Sequence, residues 1–203
     1  MIFGPAKTNH IQILGFPRSG NTWIQRICNH LVKPLGNTVG LTHMPDTVQL
    51  PSKLITPVRD YKECILRSAS HRTPASLLKR EQRCSFSWGG YISVLKYFEE
   101  YSQNKMMVYY EDLITNHVSS ITSIANFIGA SEDSLRSFLK NYDEHRRQSM
   151  LYYHKINGGS KSGGDKVDYH KLKMTPEETK GFDEYIKAKE PKLSEKYLVR
   201  YFI

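Results

Sequence analysis

The sequence predicts an α/β fold of three layers, in which a mostly parallel sheet carries helices on both faces. Short apolar runs alternate along the chain with stretches whose apolar residues recur at helical spacing. These runs predict strands at Ile11–Phe16, Thr38–Thr42, Lys53–Val58 and Lys105–Tyr110. Strands that alternate with helices favour a parallel sheet covered on both sides. In such a sheet, ligands bind at the carboxyl ends of the strands.

The intervening segments predict helices. Apolar stripes run through Trp23–Val32, Cys64–Ser68, Trp88–Phe98, Ile114–Ile128 and Leu135–Leu139. The stripe that ends at Ile128 is followed by Gly129, a residue typical of helix C-termini. Thr175, Pro176 and Glu178 form the pattern of a capping box, which predicts the start of a C-terminal helix.

Length and composition favour one domain that spans residues 1–203. A chain of 203 residues with 39% hydrophobic residues can bury one sizeable core. The sequence has no apolar run of about 20 residues and no apolar segment near its start, so we expect a cytoplasmic location without membrane association. Cys28, Cys64 and Cys84 are odd in number and widely spaced, which is typical of packing residues rather than of disulfides or a zinc site.

The charge indicates an anionic ligand. The net charge of +9 and the isoelectric point near 9.4 attract nucleic acid as well as phosphorylated or sulfated small molecules. The basic residues are spread along the chain, so no nucleic-acid tail is apparent and we expect no nucleic-acid partner. The eight histidines lack a metal-ligand spacing, and we expect no metal.

The segment Gly15–Trp23, GFPRSGNTW, follows the first predicted strand and nearly matches the nucleotide-binding pattern GxxxxGK[ST]. A strand, a glycine turn and a helix present backbone N–H groups and the helix dipole to an anion. Arg18 adds a permanent charge, while Ser19 and Thr22 add hydroxyl donors. Asn21 replaces the lysine that reaches the β and γ phosphates of a triphosphate. The loop is therefore either a damaged triphosphate loop or an intact loop for another phosphate-containing ligand.

Four segments, in this order, resemble the sulfotransferases that use 3′-phosphoadenosine 5′-phosphosulfate (PAPS). They are FPRSGNTW at Phe16–Trp23, THMP at Thr42–Pro45, VRDYKECILRS at Val58–Ser68 and YYEDL at Tyr109–Leu113. The resemblance implies a P-loop-like phosphosulfate-binding turn. It also implies transfer of the sulfuryl group to a hydroxyl, or an amine, of a small-molecule or glycan acceptor, with 3′,5′-adenosine bisphosphate (PAP) as product.

The resemblance also implies the residues that hold the donor. Arg18 would contact the sulfuryl group and the bridging oxygen. The 5′-phosphosulfate would be bound by Ser19, Gly20, Asn21 and Thr22, and the adenine would lie against Trp23 and Tyr110. Arg59 would bind the 3′-phosphate together with either Arg67 or Ser68, and Lys161 of the glycine-rich stretch at 158–165 would close over it.

His43, in the THMP segment, is the candidate general base, because a neutral imidazole can take the proton of an acceptor hydroxyl. Arg18 would stabilise the leaving group during in-line attack. The interval between Trp23 and Thr42 is shorter than in relatives that sulfate phenols and steroids, so the acceptor is not inferred from them. Two alternatives stay open: a degenerate P-loop kinase, with Asp112 at a magnesium ion, and a non-enzymatic binder of polyanions or nucleic acid.

Overall fold

A computed structural model describes residues 10–33, 36–48, 53–68, 90–157 and 174–202, with only the backbone at 65–68 and 152–157. Within these residues, four strands form one sheet in the order β2-β1-β3-β4. The strands are β1 (His10–Leu14), β2 (Thr38–Thr42), β3 (Lys53–Val58) and β4 (Lys105–Tyr109). Every pair of neighbouring strands is parallel. All four strands therefore end at the same edge of the sheet.

The described segments between and after the strands are mainly helical. They contain α1 (Asn21–Val32), α2 (Tyr61–Ser68), α3 (Tyr91–Glu100), α4 (Tyr110–Thr115), α5 (His117–Ile128), α6 (Glu132–Lys140), α7 (Tyr142–Asn157), α8 (Pro176–Lys189) and α9 (Pro191–Tyr197). Short 3-10 turns occur at Pro45–Thr47 and Val199–Tyr201. None of the helices in these ranges is long and apolar enough to cross a membrane.

Helices cover both faces of the sheet, because successive strand residues point to opposite sides. Leu14 and Leu54 pack with residues of α2, α3, α8 and α9 on one face. Ile13 and Ile55, their neighbours in sequence, pack with α1 and with α4 to α7 on the other. The predicted three-layer α/β fold is confirmed.

Several local predictions are also confirmed. The predicted bounds of the second and third strands coincide with β2 and β3, and α5 ends at Gly129, whose φ of 78° lies in the left-handed region. Both hydrogen bonds of the capping box at Thr175 and Glu178 are present at the start of α8. Cys28 and Cys64 are buried, whereas Cys84 lies outside the described residues.

Other predictions need correction. The first strand ends at Leu14 rather than Phe16, and Ile114 belongs to the separate short helix α4. Helices α7 and α9 had no counterpart in the sequence prediction. Helix α7 has only two buried positions among residues 142–151, Tyr142 and Ser149, so its sequence shows little apolar periodicity.

Candidate active site

The candidate site lies at the edge where the parallel strands end. The loop at residues 15–20 follows β1, His43 follows β2, Arg59 follows β3 and Tyr110 follows β4. The sheet order places β1 between β2 and β3. The loop is thus flanked by the segments that carry His43 and Arg59, as the sequence predicts for a ligand site at this edge.

The loop after β1 has an unusual backbone. Arg18 has a φ of 75° and Gly20 a φ of 102°, and Arg18 is the one described residue other than glycine with a positive φ. A side chain in this left-handed region costs roughly 1–2 kcal/mol, and such strain is common at ligand-binding turns. The Ser19 N–H and hydroxyl both donate to the Phe16 carbonyl oxygen, at 3.2 and 2.7 Å. These two bonds hold the turn closed.

Asn21 begins α1, and its side chain faces the inside of this loop. The side-chain amide is buried and donates to the carbonyl oxygens of Phe16, at 2.8 Å, and Gly15, at 3.2 Å. The side chains of Ser19 and Asn21, two of the residues predicted to bind the phosphosulfate, thus both donate to loop carbonyls. For an anion, the loop offers the backbone N–H groups at the start of α1, which have no acceptor inside the helix.

His43 is joined to the same loop. Its Nδ1 lies 2.6 Å from the Gly15 carbonyl oxygen, which can only accept, so Nδ1 carries the proton and Nε2 carries the lone pair. Burial lowers the pKa of His43 below its usual value, and the positive charge of Arg18 lowers it further, while the bond to Gly15 opposes both effects. The lowered pKa favours the neutral form of the imidazole at pH 7. The structure brings together His43 and Arg18, the two residues predicted to act in catalysis.

Arg59 lies directly after β3, with its side chain only 12% exposed. The guanidinium carbon is 4.3 Å from the centre of the Tyr110 ring, and the side chain forms an ion pair with Glu63. The Arg59 Nε is buried and has no hydrogen-bond partner among the described residues. The backbone of Arg59 is fixed by Tyr91, whose hydroxyl donates to the Arg59 carbonyl and accepts from its N–H. Sequence reasoning missed Tyr91, which shows only as part of a helical stripe.

Tyr110 connects Arg59 to the loop. A Cβ atom at Gly20 would lie 2.5 Å from Cδ2 of Tyr110, so the tyrosine ring packs directly on the glycine. Arg59, Tyr110 and Gly20 therefore form a continuous stack from the end of β3 to the start of α1. Tyr110 is predicted to contact the adenine of the donor, and Arg59 its 3′-phosphate. Both therefore lie next to the turn that is predicted to bind the phosphosulfate.

Trp23, which is predicted to lie against the adenine, packs on two aromatic side chains of the core. It is 7% exposed, with its ring centre 5.9 Å from that of Tyr142 and 6.1 Å from that of Phe138. Its Nε1 is buried without a hydrogen-bond partner in the part of the chain that is described. In the structure Trp23 belongs to the core between α1, α6 and α7.

The remaining predicted donor contacts are only partly visible. Thr22 lies half-buried in the first turn of α1, next to the loop. Arg67 and Ser68 lie in α2, where only the backbone is described, so the choice between them stays open. Lys161 and the glycine-rich stretch lie outside the described residues.

The two acidic residues after Tyr110 have structural contacts. The Glu111 carboxylate accepts from the Asp60 N–H, at 3.2 Å, and from the Tyr201 hydroxyl, at 2.6 Å. The Asp112 carboxylate binds both terminal nitrogens of Arg200, at 2.7 and 3.0 Å. These bonds hold the C-terminal turn, and the residue that precedes α2, against α4. Among the described residues, no group of three or more His, Cys, Asp or Glu side chains could hold a metal ion.

A parallel sheet with a glycine turn, a helix N-terminus and two arginines at its carboxyl edge is the arrangement of a P-loop-like fold, which suits an anionic ligand. Comparison with known families narrows this class. The sequence model of the sulfotransferase domain matches residues 37–196, and the chain therefore belongs to the sulfotransferase family. This confirms the resemblance drawn from the sequence motifs, and the match begins after the loop at 15–20.

Solved structures share the fold. Mouse sulfotransferase SULT7A1 complexed with PAP is 16% identical, with a TM-score of 0.64 over 92% of this chain and 86% of that chain. Retinol dehydratase, solved with androsterone and PAP and also with retinol and PAP, is 14% identical, with a TM-score of 0.61 over 96% of this chain and 82% of that chain. A comparison with curated proteins found no match.

Proposed function

We propose that this enzyme transfers the sulfuryl group of PAPS to a hydroxyl, or an amine, of a small-molecule or glycan acceptor, with His43 as general base. Membership of the sulfotransferase family gives the reaction class. The observation that supports the proposal is the bond from His43 Nδ1 to the Gly15 carbonyl, which joins the imidazole to the glycine turn after β1. The similar structures were solved with PAP, which supports PAPS as the donor.

The loop and its neighbours provide a place for each part of PAPS, the substrate that supplies the sulfuryl group. Backbone N–H groups at the start of α1, with the helix dipole, suit the 5′-phosphosulfate. Arg59 suits the 3′-phosphate, because a guanidinium can bind phosphate through two parallel hydrogen bonds. Tyr110 lies between these two positions and offers a ring face near the adenine.

In the reaction, Nε2 of His43 takes the proton of the acceptor hydroxyl while that oxygen forms a bond to sulfur. The bond from sulfur to the bridging phosphate oxygen breaks, and PAP leaves with the electron pair. Arg18 stabilises the negative charge that develops on this oxygen. Its positive charge also helps to keep His43 neutral and able to accept a proton.

The test combines donor binding with transfer. We expect PAP to bind in calorimetry without magnesium, and labelled PAPS to sulfate a member of a panel of sugars, phenols, peptides and lipids. His43→Ala should keep PAP binding and lose at least about 100-fold in transfer rate, the usual contribution of a general base. His10 lies at the start of β1, at the end of the strand away from the site. His10→Ala is therefore the matched control and should keep both PAP binding and transfer.

Three results would contradict the proposal. Unchanged transfer by His43→Ala would remove the assigned base. Magnesium-dependent ATP binding, with no response to PAP, would favour the kinase alternative. Binding of nucleic acid that weakens steeply with salt, without any sulfate transfer, would favour the non-enzymatic alternative.

A further inference from the structure

We infer that Asn21 is a positioning residue for His43, which holds the Gly15 carbonyl in the place where that carbonyl fixes the tautomer of the histidine. The inference rests on the proposed function, in which His43 is the general base. It assigns Asn21 a role inside the protein rather than on the donor.

The side-chain amide of Asn21 is fully used by the loop. Its two N–H donors meet the carbonyl oxygens of Phe16 and Gly15, at 2.8 and 3.2 Å. The opposite orientation of the amide would place Oδ1 against two carbonyl oxygens, so the observed orientation is the one that chemistry permits. Since the side chain is 4% exposed, these bonds are shielded from water.

The Gly15 carbonyl oxygen is the link between Asn21 and His43. It accepts from Asn21 Nδ2 and from His43 Nδ1, as its two lone pairs allow. The two nitrogens are 3.3 Å apart, and both carry protons that point to the same oxygen. They are therefore neighbours on one acceptor rather than partners of each other. Loss of the Asn21 donor would free this carbonyl to move and release the imidazole from a single tautomer.

The loop is shaped around this amide. A Cβ atom at Gly15 would lie 2.1 Å from Oδ1 of Asn21 and 2.9 Å from Oγ of Ser19. Glycine at position 15 therefore leaves the space that the amide occupies. Asparagine, with two donors on one planar group, can bind two successive carbonyls at once, whereas a threonine hydroxyl supplies one donor.

The first experiment separates positioning from donor binding. Asn21→Leu keeps a similar volume and removes both donors. We expect kcat at saturating PAPS to fall about 10- to 100-fold, because misplacement of a catalytic group has effects of this size. The Kd for PAP should change by less than threefold. Asn126→Leu, on the exposed face of α5, is the matched control and should change neither value.

The second experiment follows the titration of His43 through the pH dependence of kcat. Asn21→Asp has nearly the same shape, but it places a carboxylate beside His43 Nδ1, and an adjacent negative charge raises the pKa of an imidazole. The acid limb of kcat against pH should move upward by about one pH unit, a change expected only if the side chain at position 21 is adjacent to the base that titrates. Asn126→Asp should leave the limb in place. Asn21→Thr keeps one donor and should therefore lose less kcat than Asn21→Leu. If the leucine variant does not fold, the threonine variant replaces it in the test.

The outcomes distinguish this inference from the proposed function. If His43→Ala abolishes transfer while the Asn21 variants keep kcat and the pH limb, Asn21 does not position the base and the inference fails alone. If Asn21→Leu or Asn21→Thr weakens PAP binding more than tenfold at unchanged kcat, Asn21 is a donor-binding residue and the inference is overturned. If His43→Ala transfers normally, the proposed function itself fails.

Discussion

The ion pair between Arg59 and Glu63 predicts that a carboxylate competes with the donor 3′-phosphate. Both anions need the guanidinium of Arg59, whose side chain is mostly buried and already stacked on Tyr110. In the proposed binding mode, the 3′-phosphate displaces Glu63 from Arg59, and the free energy of the ion pair is subtracted from the free energy of binding. Glu63→Gln removes the competing charge and keeps the size of the side chain.

The solvent exposure of the Arg59–Glu63 pair determines how much the Kd for PAP should change. The Glu63 side chain is 45% exposed, so the carboxylate stays largely hydrated and the attraction is screened. Ion pairs of this kind contribute about 0.2–1 kcal/mol. Since about 1.4 kcal/mol corresponds to a tenfold change in Kd, we expect Glu63→Gln to bind PAP roughly 1.4- to fivefold more tightly.

Titration calorimetry with two ligands tests the reasoning. PAP carries the 3′-phosphate, whereas adenosine 5′-phosphosulfate lacks it, so only the affinity for PAP should rise in Glu63→Gln. Glu132→Gln breaks the exposed pair with Arg136 that has the same four-residue spacing, and should leave both affinities unchanged. Weaker PAP binding by Glu63→Gln would refute the reasoning, because it would mean that Glu63 orients Arg59 for the phosphate. Equal gains for both ligands would refute it as well.

Three further perturbations test the site and the core beneath it. Arg18→Gln should lower kcat about 100-fold, as the loss of one charge-stabilising group does. It should also move the acid limb of the pH profile of kcat to higher pH, because the Arg18 charge lowers the pKa of His43. An unmoved limb would contradict the assignment of His43 as the base. Gly20→Ala should weaken PAP binding and lower the urea midpoint, because its Cβ would meet the Tyr110 ring and its φ is positive; an unchanged midpoint would contradict the close packing. Burial, and then the charges of neighbouring basic side chains, lower the pKa of His30. Below about pH 6.5, His30 therefore binds a proton more readily in the unfolded chain than in the folded protein, and the free energy of unfolding falls. Between pH 7.5 and 5.5 the thermal midpoint of His30→Gln should fall less than that of the parent protein. An equal fall would contradict this reasoning.

The sequence predicts the framework of the fold because strand and helix periods are strong signals. The runs at Thr38–Thr42 and Lys53–Val58 match β2 and β3 residue for residue. Helix α7 was not predicted because few of its side chains are buried, so its apolar residues do not form a stripe. A helix stabilised along so narrow a face leaves little periodicity to detect.

The positions of the candidate site residues were predictable, but the directions of their side chains were not. Parallel topology places Arg18, His43, Arg59 and Tyr110 at one edge once the strands are known. Whether a polar side chain in a glycine turn faces the ligand or the backbone depends on which carbonyls lack a partner. Asn21 faces inward because the carbonyls of Phe16 and Gly15 lie within reach of its amide. No sequence pattern records that distance.

The missing lysine at position 21 follows from the same geometry. A lysine there would remove the planar amide whose two N–H donors bind the carbonyls of Phe16 and Gly15. The positive charge of the loop is instead on Arg18, close enough to His43 to lower the pKa of the imidazole. Under the proposed mechanism, the cation for the leaving group and the base for the acceptor therefore lie at the same turn. A donor with no γ-phosphate requires a charge at the bridging oxygen, and Arg18 can supply it there.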